Sequence, residues 1–307
     1  MIRAVDWSTK KADEREIQGR NRSDPYIVAW GQGLNGYEYT REENLDLDNN
    51  KSPCIFRGLG KSPLIHKCVE KKIDYYYIDT GYFGNVNTKK WHRVAKNNLQ
   101  TLNHYSKETV IKKLEKTFHH KVVDQLIDRF NKLHPRCEAQ RHDRVDRQSK
   151  ILLVPPSQKV FNHFGGDAKK WTDNFLKEAK KYTDREIVLR PKVSRSDRLK
   201  FTVQDQLRKE GFDSLITFNS IASLEAILVG RPATVLGPNA GSFLSNTDIT
   251  KIDNPPFPTK QDILDHLFYL SLCQFTVEEM ANGRAYELIE LLQGDQKPHT
   301  FNFKETF

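Results

Sequence analysis

The sequence predicts an α/β protein of two Rossmann-like domains facing a cleft, with C-terminal helices that cross back toward the first domain. Three observations carry this expectation. Apolar strands alternate with amphipathic helices in both halves, the pattern of β-α-β units around a parallel sheet. The 17-residue stretch HPRCEAQRHDRVDRQSK, 134–150, has almost no apolar residue and reads as a linker. A chain of 307 residues is long for one core and divides comfortably into two of about 150 residues each. The expected boundaries are 1–149 for the first Rossmann-like domain, 150–262 for the second and 263–307 for the returning helices.

The elements follow in order. DPYIVAWGQG, 24–33, is a short apolar run ending in glycines. PCIFRGLGKSPLIHKCVEKKIDYYYIDTGYFG, 53–84, reads as strand, glycine turn, helix over 62–72, strand over 74–78 and loop, which is one β-α-β unit. KKWHRVAKNN reads as a further strand, and KETVIKKLEKTFHHKVVDQLIDRFNKL carries Val122, Val123, Leu126, Ile127 and Phe130 at helical spacing. The second half restarts with the buried-type strand KILLVPPS, then a helix over 171–181 and the strand REIVLRPK. A helix over 203–209, the strand SLITF, the helix SIASLEAILVG and the strand PATVLGP complete a parallel sheet. From 260 to 292 the pattern is helical.

Composition narrows the function. Apolar residues at 37% supply a core, and no run approaches the roughly 18 apolar residues of a membrane helix. The first 22 residues lack the apolar stretch of a signal peptide, so a cytoplasmic protein with no membrane partner is expected; a monomer is expected as well. Cys54, Cys68, Cys137 and Cys273 form no CxxC pair and read as ordinary thiols. The net charge of +9 calls for an anionic partner, nucleic acid or another polyanion. Residues 107–150 hold 12 Lys and Arg against 7 Asp and Glu, a stretch that fits either a polyanion-binding face or a solvated one. Asp46-Leu47-Asp48 has the spacing of a metal-binding D-x-D but lies in a polar run, and His119-His120 point apart on a helix, so no metal is assigned.

Ligands of parallel sheets bind beyond the carboxyl ends of the strands. Four loops fall there in the second half: 155–157, 190–192, 218–220 and 237–239. Arg190 and Lys192 would cradle a diphosphate beside the helix that begins at Asn219 and Ser220, with Ser223 and Gly237 in the same loops and Glu225 placed for ribose hydroxyls. Each has a bland alternative: Ser220 fits a helix N-cap, and the cations and Glu225 fit an exposed surface.

The segment DSLITFNSIASLEAILVGRPATVLGP, preceded by IVLRPK and followed by SLCQFTVEEMANGRAYELI, resembles the donor half of GT-B glycosyltransferases, notably capsule-type and phage-encoded groups. The resemblance spans roughly 150–289 and departs at Lys192, where capsule enzymes often carry a histidine. It implies a GT-B fold, no required cofactor, a nucleotide sugar such as a UDP-sugar as co-substrate, and Arg190, Lys192, Ser220 and Glu225 as its holders. The expected activity is sugar transfer to the hydroxyl of a 5-hydroxymethylpyrimidine in double-stranded DNA. A capsule or other polysaccharide acceptor is the alternative, and a non-catalytic basic nucleic-acid-binding module is the second. Asp79, at the end of DYYYI beside a glycine loop, is the expected catalytic base, although an Asx turn explains it equally. Tyr82, Phe83, Trp91, His92 and Arg93 are expected to bind the acceptor by stacking on a base and holding phosphate. Gly31, Gly33, Gly58 and Gly60 would let loops approach the sugar.

Overall fold

A computed structural model describes residues 2–5, 25–34, 36–40, 44–84, 90–133, 149–190, 192, 201–209 and 211–298. Among them are ten strands and eleven α-helices. In chain order the first are β1 (Ile2–Val5), α1 (Pro25–Gln32), β2 (Tyr37–Thr40), β3 (Cys54–Arg57), α2 (Ser62–Glu70), β4 (Tyr75–Thr80) and β5 (His92–Lys96). Next come α3 (Lys107–Thr117), α4 (His120–Leu133), β6 (Lys150–Val154), α5 (Gln158–Phe164), α6 (Ala168–Ala179), β7 (Ile187–Leu189), α7 (Val203–Lys209) and β8 (Phe212–Thr217). The chain ends with α8 (Ala222–Leu228), β9 (Ala233–Val235), α9 (Lys260–Ser271), β10 (Gln274–Phe275), α10 (Val277–Ala281) and α11 (Arg284–Gln293). No helix among the described residues is long and apolar enough to cross a membrane.

The chain folds as two α/β units. Of the described residues, the first holds those within 2–101 and 272–298, the second those within 102–271. The first unit has a six-stranded sheet in the order β10-β5-β4-β3-β1-β2. Strands β1 to β4 run parallel, and β5 pairs antiparallel with both β4 and β10. The reversal fits the β4 to β5 connection, residues 81–91, which is shorter than the dozen or more residues of a parallel crossover. Strand order reverses between β1 and β3, so the carboxyl end of β3, at Arg57, stands at the switch point where α/β sheets bind ligands.

The C-terminal helices do return to the first unit, but later in the chain than position 263. Helix α9 stays with the second unit, and the return begins at Leu272. The returning segment is fixed by buried polar contacts: Lys96 donates to Glu290 at 3.0 Å, Tyr76 Oη donates to Glu290 at 2.6 Å, and the Lys96 N–H meets Gln293 Oε1 at 3.0 Å. Gly33 serves this packing. A Cβ there would stand 2.1 Å from the Met280 carbonyl oxygen and 2.7 Å from the Gly283 nitrogen. Its smallness admits α10, not a sugar, and Gly31 is likewise buried within α1. Gly58 has φ +68° and open space where a Cβ would be, so its role is the turn after β3.

The second unit has an all-parallel sheet ordered β7-β6-β8-β9, with its switch point between β6 and β8. Every residue of β8 is buried, as a central strand covered on both faces requires. Phe161, Trp171, Phe175 and Phe218 build the core beneath it, with Trp171 and Phe175 stacked at 5.4 Å. Buried Arg185 forms an ion pair with Asp213 and donates to the Ser149 and Asp253 carbonyls, tying the amino ends of β6 and β8 together.

The basic helices belong to this second unit, not to an N-terminal domain ending at 149. Their apolar stripe, Val110, Leu114, Val123, Leu126 and Phe130, is buried. Phe130 meets Phe268 of α9 edge-on at 5.2 Å, and Arg129 donates to the Ser271 carbonyl at 2.7 Å. On the outer face exposed Lys112, Lys116, Lys121 and Lys132 alternate with exposed Glu108, Glu115, Asp124 and Asp128. The described part of the basic stretch is therefore a surface of mixed sign. Residues 134–148, which hold Cys137 and all of the expected linker but its last two positions, lie outside the described residues, whereas Cys54, Cys68 and Cys273 are buried thiols and Lys150 already opens β6.

Candidate functional site

In the second unit the loops beyond β6, β8 and β9 are laced together. Thr217, the last residue of β8, donates from Oγ1 to the Val154 carbonyl at 2.8 Å and accepts the Ser220 N–H at 3.3 Å. Asn239 Nδ2 donates to the Ser220 carbonyl at 2.8 Å, and its Oδ1 accepts the Gly241 N–H at 2.7 Å. Ser223, fully buried, shares its hydroxyl proton between the Ser220 carbonyl at 3.2 Å and Asn239 Oδ1 at 3.1 Å. This lattice fixes the strand-end rim at the switch point.

The expected donor residues divide by role. Ser220 is not the N-cap residue: Ile221 holds that place, and Ser220 Oγ accepts the Ala222 N–H at 3.2 Å just before α8. Asn219 is nine-tenths buried and Glu225, in the first turn of α8, is half-buried. Gly237 packs on the core, since a Cβ would lie 2.6 to 2.8 Å from the Phe218 ring. Arg190 stands at the end of β7, beside β6, where it donates to Gln206 and to the Phe201 carbonyl at 2.6 Å with its guanidinium 5.7 Å from the Phe201 ring. Lys192 is exposed, two residues further on.

In the first unit, register decides which expected residues meet. Asp79 on β4 faces Arg93 on β5. The Asp79 carboxylate accepts from Arg93 at 3.0 Å, from Tyr77 Oη at 3.1 Å and from the Thr80 N–H at 2.7 Å. Arg93 is buried and also donates to the Thr80 carbonyl at 2.7 Å. The expected base is therefore an anchored carboxylate whose oxygens already hold three donors.

The expected acceptor aromatics lie inside. Tyr82, Phe83 and Trp91 are all buried; the Tyr82 Oη accepts the Thr101 N–H at 2.9 Å, and the Tyr82 and Phe83 N–H groups both meet Gln274 Oε1. In this conformation they form the seam between the β4 to β5 loop and β10, and no ring face is offered to a base.

His92, one residue along, points to the other face of the sheet. There its ring lies against Tyr26 of α1, centroids 3.6 Å apart and planes tilted by 32°, the Arg57 guanidinium lies 4.3 Å from the Tyr26 ring, and Arg57 Nη2 comes to 3.4 Å from His92 Nε2. A guanidinium only donates, so Nε2 accepts and the imidazole is neutral. Burial, with Arg57 and Arg93 beside it, holds its pKa down to about 4. Sequence reasoning missed Arg57 and Tyr26; the one local signal was a cation closing the apolar strand CIFR.

An imidazole pair sits in the second unit. His104 Nδ1 and His266 Nδ1 are 3.1 Å apart, and His266 Nε2 lies 2.6 Å from the Ala240 carbonyl oxygen. The Phe243 ring stacks on His104 at 3.3 Å, with 9° between the planes. Asp46 and Asp48 do not form a metal-type pair: Asp46 Oδ1 accepts the N–H groups of Asp48 and Asn49, and Asp48 pairs with Lys71.

No family model matches the sequence, and no curated protein matches it. Among solved structures it is similar to Thermosulfurimonas dismutans KpsC, beta Kdo 2,4 transferase, at 14% identity over 94% of this chain and 98% of that chain, with a TM-score of 0.46. It is equally similar to Thermosulfurimonas dismutans KpsC, beta Kdo 2,7 transferase, at 14% identity over 94% and 99% of the two chains, with a TM-score of 0.46. Likeness at this level decides neither donor nor acceptor.

Proposed function

We propose that the chain is a nucleotide-sugar-dependent glycosyltransferase whose donor sits on the second unit. The observation that carries this reading is the laced rim of Thr217, Ser220, Ser223 and Asn239 at the sheet's switch point, with Arg190 and Lys192 in the segment just beyond the flanking β7. Oriented backbone groups and paired cations are what a leaving diphosphate needs, and they neutralise it without a metal. Arg190, held by Gln206, would present a fixed guanidinium, and exposed Lys192 would close on the phosphates. Ser223 and Gly237 would shape the rim from below, and Glu225 would meet the ribose.

For the acceptor, the +9 charge favours double-stranded DNA carrying a 5-hydroxymethylpyrimidine. The burial of Tyr82, Phe83 and Trp91 favours a second reading, a saccharide chain of the capsule type, because no exposed aromatic in that set is ready to fill the gap left by an extruded base. Mass spectrometry after incubation with a panel of nucleotide sugars, using hydroxymethylated DNA in one arm and oligosaccharides in the other, tests both. Product in the DNA arm supports the first acceptor, product in the saccharide arm the second, and the absence of product from every donor removes the transferase reading.

A further inference from the structure

The His104 and His266 pair carries an inference that rests on the donor reading above and extends it. Its proton arrangement is fixed by partners. The Ala240 carbonyl can only accept, so His266 donates from Nε2. With His266 neutral, its Nδ1 is a lone pair, and His104 must donate to it from Nδ1. The chain of donors thus runs from His104 to His266 to Ala240, and it leaves His104 Nε2 as the one ring nitrogen able to take up a proton without breaking a bond. His266 is fully buried, whereas His104 is half-buried beneath Phe243, itself 49% exposed.

The same loop ties this pair to the donor rim. Asn239 holds the Ser220 carbonyl, the next residue, Ala240, receives His266, and Phe243 covers His104. Among the described residues the charged groups that reach His104 are Asp265 and Asp262 of α9, and both favour its protonated form. Burial outweighs them and lowers its pKa, so the ring is neutral in the free protein near pH 7. From the loop side Phe243 brings no charge, and from α9 His266 stays neutral because burial holds its pKa near 4.

We propose that His104 is a proton-carrying ligand of the nucleotide diphosphate, neutral in the free protein and an imidazolium in the complex, with His266 as its positioning residue. A diphosphate arriving at the rim supplies the negative charge that the neutral ring lacks, and Nε2 takes a proton from solvent to donate to a phosphate oxygen. Binding then draws in a proton, and affinity weakens as pH rises through the midpoint of the complex.

The test uses the full chain and uridine diphosphate as probe. Long-range proton–nitrogen spectra of the histidine rings should show His104 as the Nδ1–H tautomer and His266 as the Nε2–H tautomer in the free protein. Saturating uridine diphosphate should raise the His104 midpoint by about 1 pH unit and leave His266 unmoved. In calorimetry across pH, His104→Gln, which can still donate to His266, should lose about a tenfold pH-dependent part of the affinity relative to wild type, separating the ring's titration from that of the nucleotide. Nucleotide binding with an unmoved His104 midpoint, or an unchanged pH slope in His104→Gln, overturns this proposal and leaves the donor site standing. Failure of the nucleotide to bind at all overturns both.

Discussion

Asp79 and Arg93 face each other across β4 and β5, with carboxylate and guanidinium 3.0 Å apart. The Arg93 side chain is 10% exposed and that of Asp79 is 39% exposed, so the pair is an anchor with one wet end. Asp79→Asn leaves a buried cation short of its counter-charge and should cost about 1–2 kcal/mol, less than a fully buried pair because water screens the carboxylate. Arg93→Ala also strips the Thr80 carbonyl of its donor and should cost roughly 3 kcal/mol. Thermal melts of the two variants give that order if the pair is structural. If Asp79 also serves as the base, Asp79→Asn should lose about 10²–10⁴-fold in transfer beyond what its folded fraction explains.

Arg190 and Lys192 should separate in the same way. Lys192 is exposed, so Lys192→Ala should leave the melting temperature unchanged and weaken uridine diphosphate binding by about 1.5–3 kcal/mol through the lost charge-assisted contact. Arg190→Ala should weaken binding by a similar amount and also destabilise the second unit by about 1 kcal/mol, because Gln206 and the Phe201 carbonyl lose their donor. Calorimetry with both variants at wild-type affinity would remove these residues from the donor site.

What could be read from the sequence and what could not divide along physical lines. The strand KILLV, the fully buried β8 and the turn at Gly58 were legible because periodicity and glycine chemistry are local. Pairing was not. Asp79 and Arg93 are 14 residues apart, and only the antiparallel register of β5 brings them together. The same limit hid the placement of α3 and α4: the stripe through Val110, Leu126 and Phe130 announced a buried face but not that α9 would cover it. Gly33 and Gly237 read as loop glycines, yet they are small because Gly283 and Phe218 pack against them. In the strand-end rim the polar pair Asn219 and Ser220 was visible, whereas its holders Thr217 and Asn239 act through contacts that no spacing encodes.

Gly237→Ala probes that rim from its underside. The new methyl would press on the Phe218 ring, a core side chain 1% exposed that cannot swing away. The loop after β9 must move instead, at a cost of about 1–3 kcal/mol. Since Asn239 lies two residues on and holds the Ser220 carbonyl, nucleotide affinity should fall with stability. Urea unfolding and calorimetry on this one variant check both effects, and a stable protein with normal affinity would show that the rim does not depend on this packing.

His266 sets a pH dependence of stability with a definite sign. Burial holds its pKa in the folded protein near 4, below the ordinary value of 6.5. Between those values the unfolded chain binds the proton and the folded chain does not, so stability is fully present above pH 6.5 and is lost as pH falls toward 4. Full development of that shift is worth roughly 3 kcal/mol. His92, whose pKa is also lowered to about 4, adds a loss of the same sign in the first unit. His266→Gln, able to donate to Ala240 and accept from His104, should flatten the dependence in the second unit alone. Urea unfolding followed by the fluorescence of Trp171, stacked on Phe175 in that unit's core, reads the effect. A wild-type curve flat between pH 6.5 and 4 would mean that the folded protein takes up the proton as readily as the unfolded chain and that burial does not hold the His266 imidazole neutral in that range.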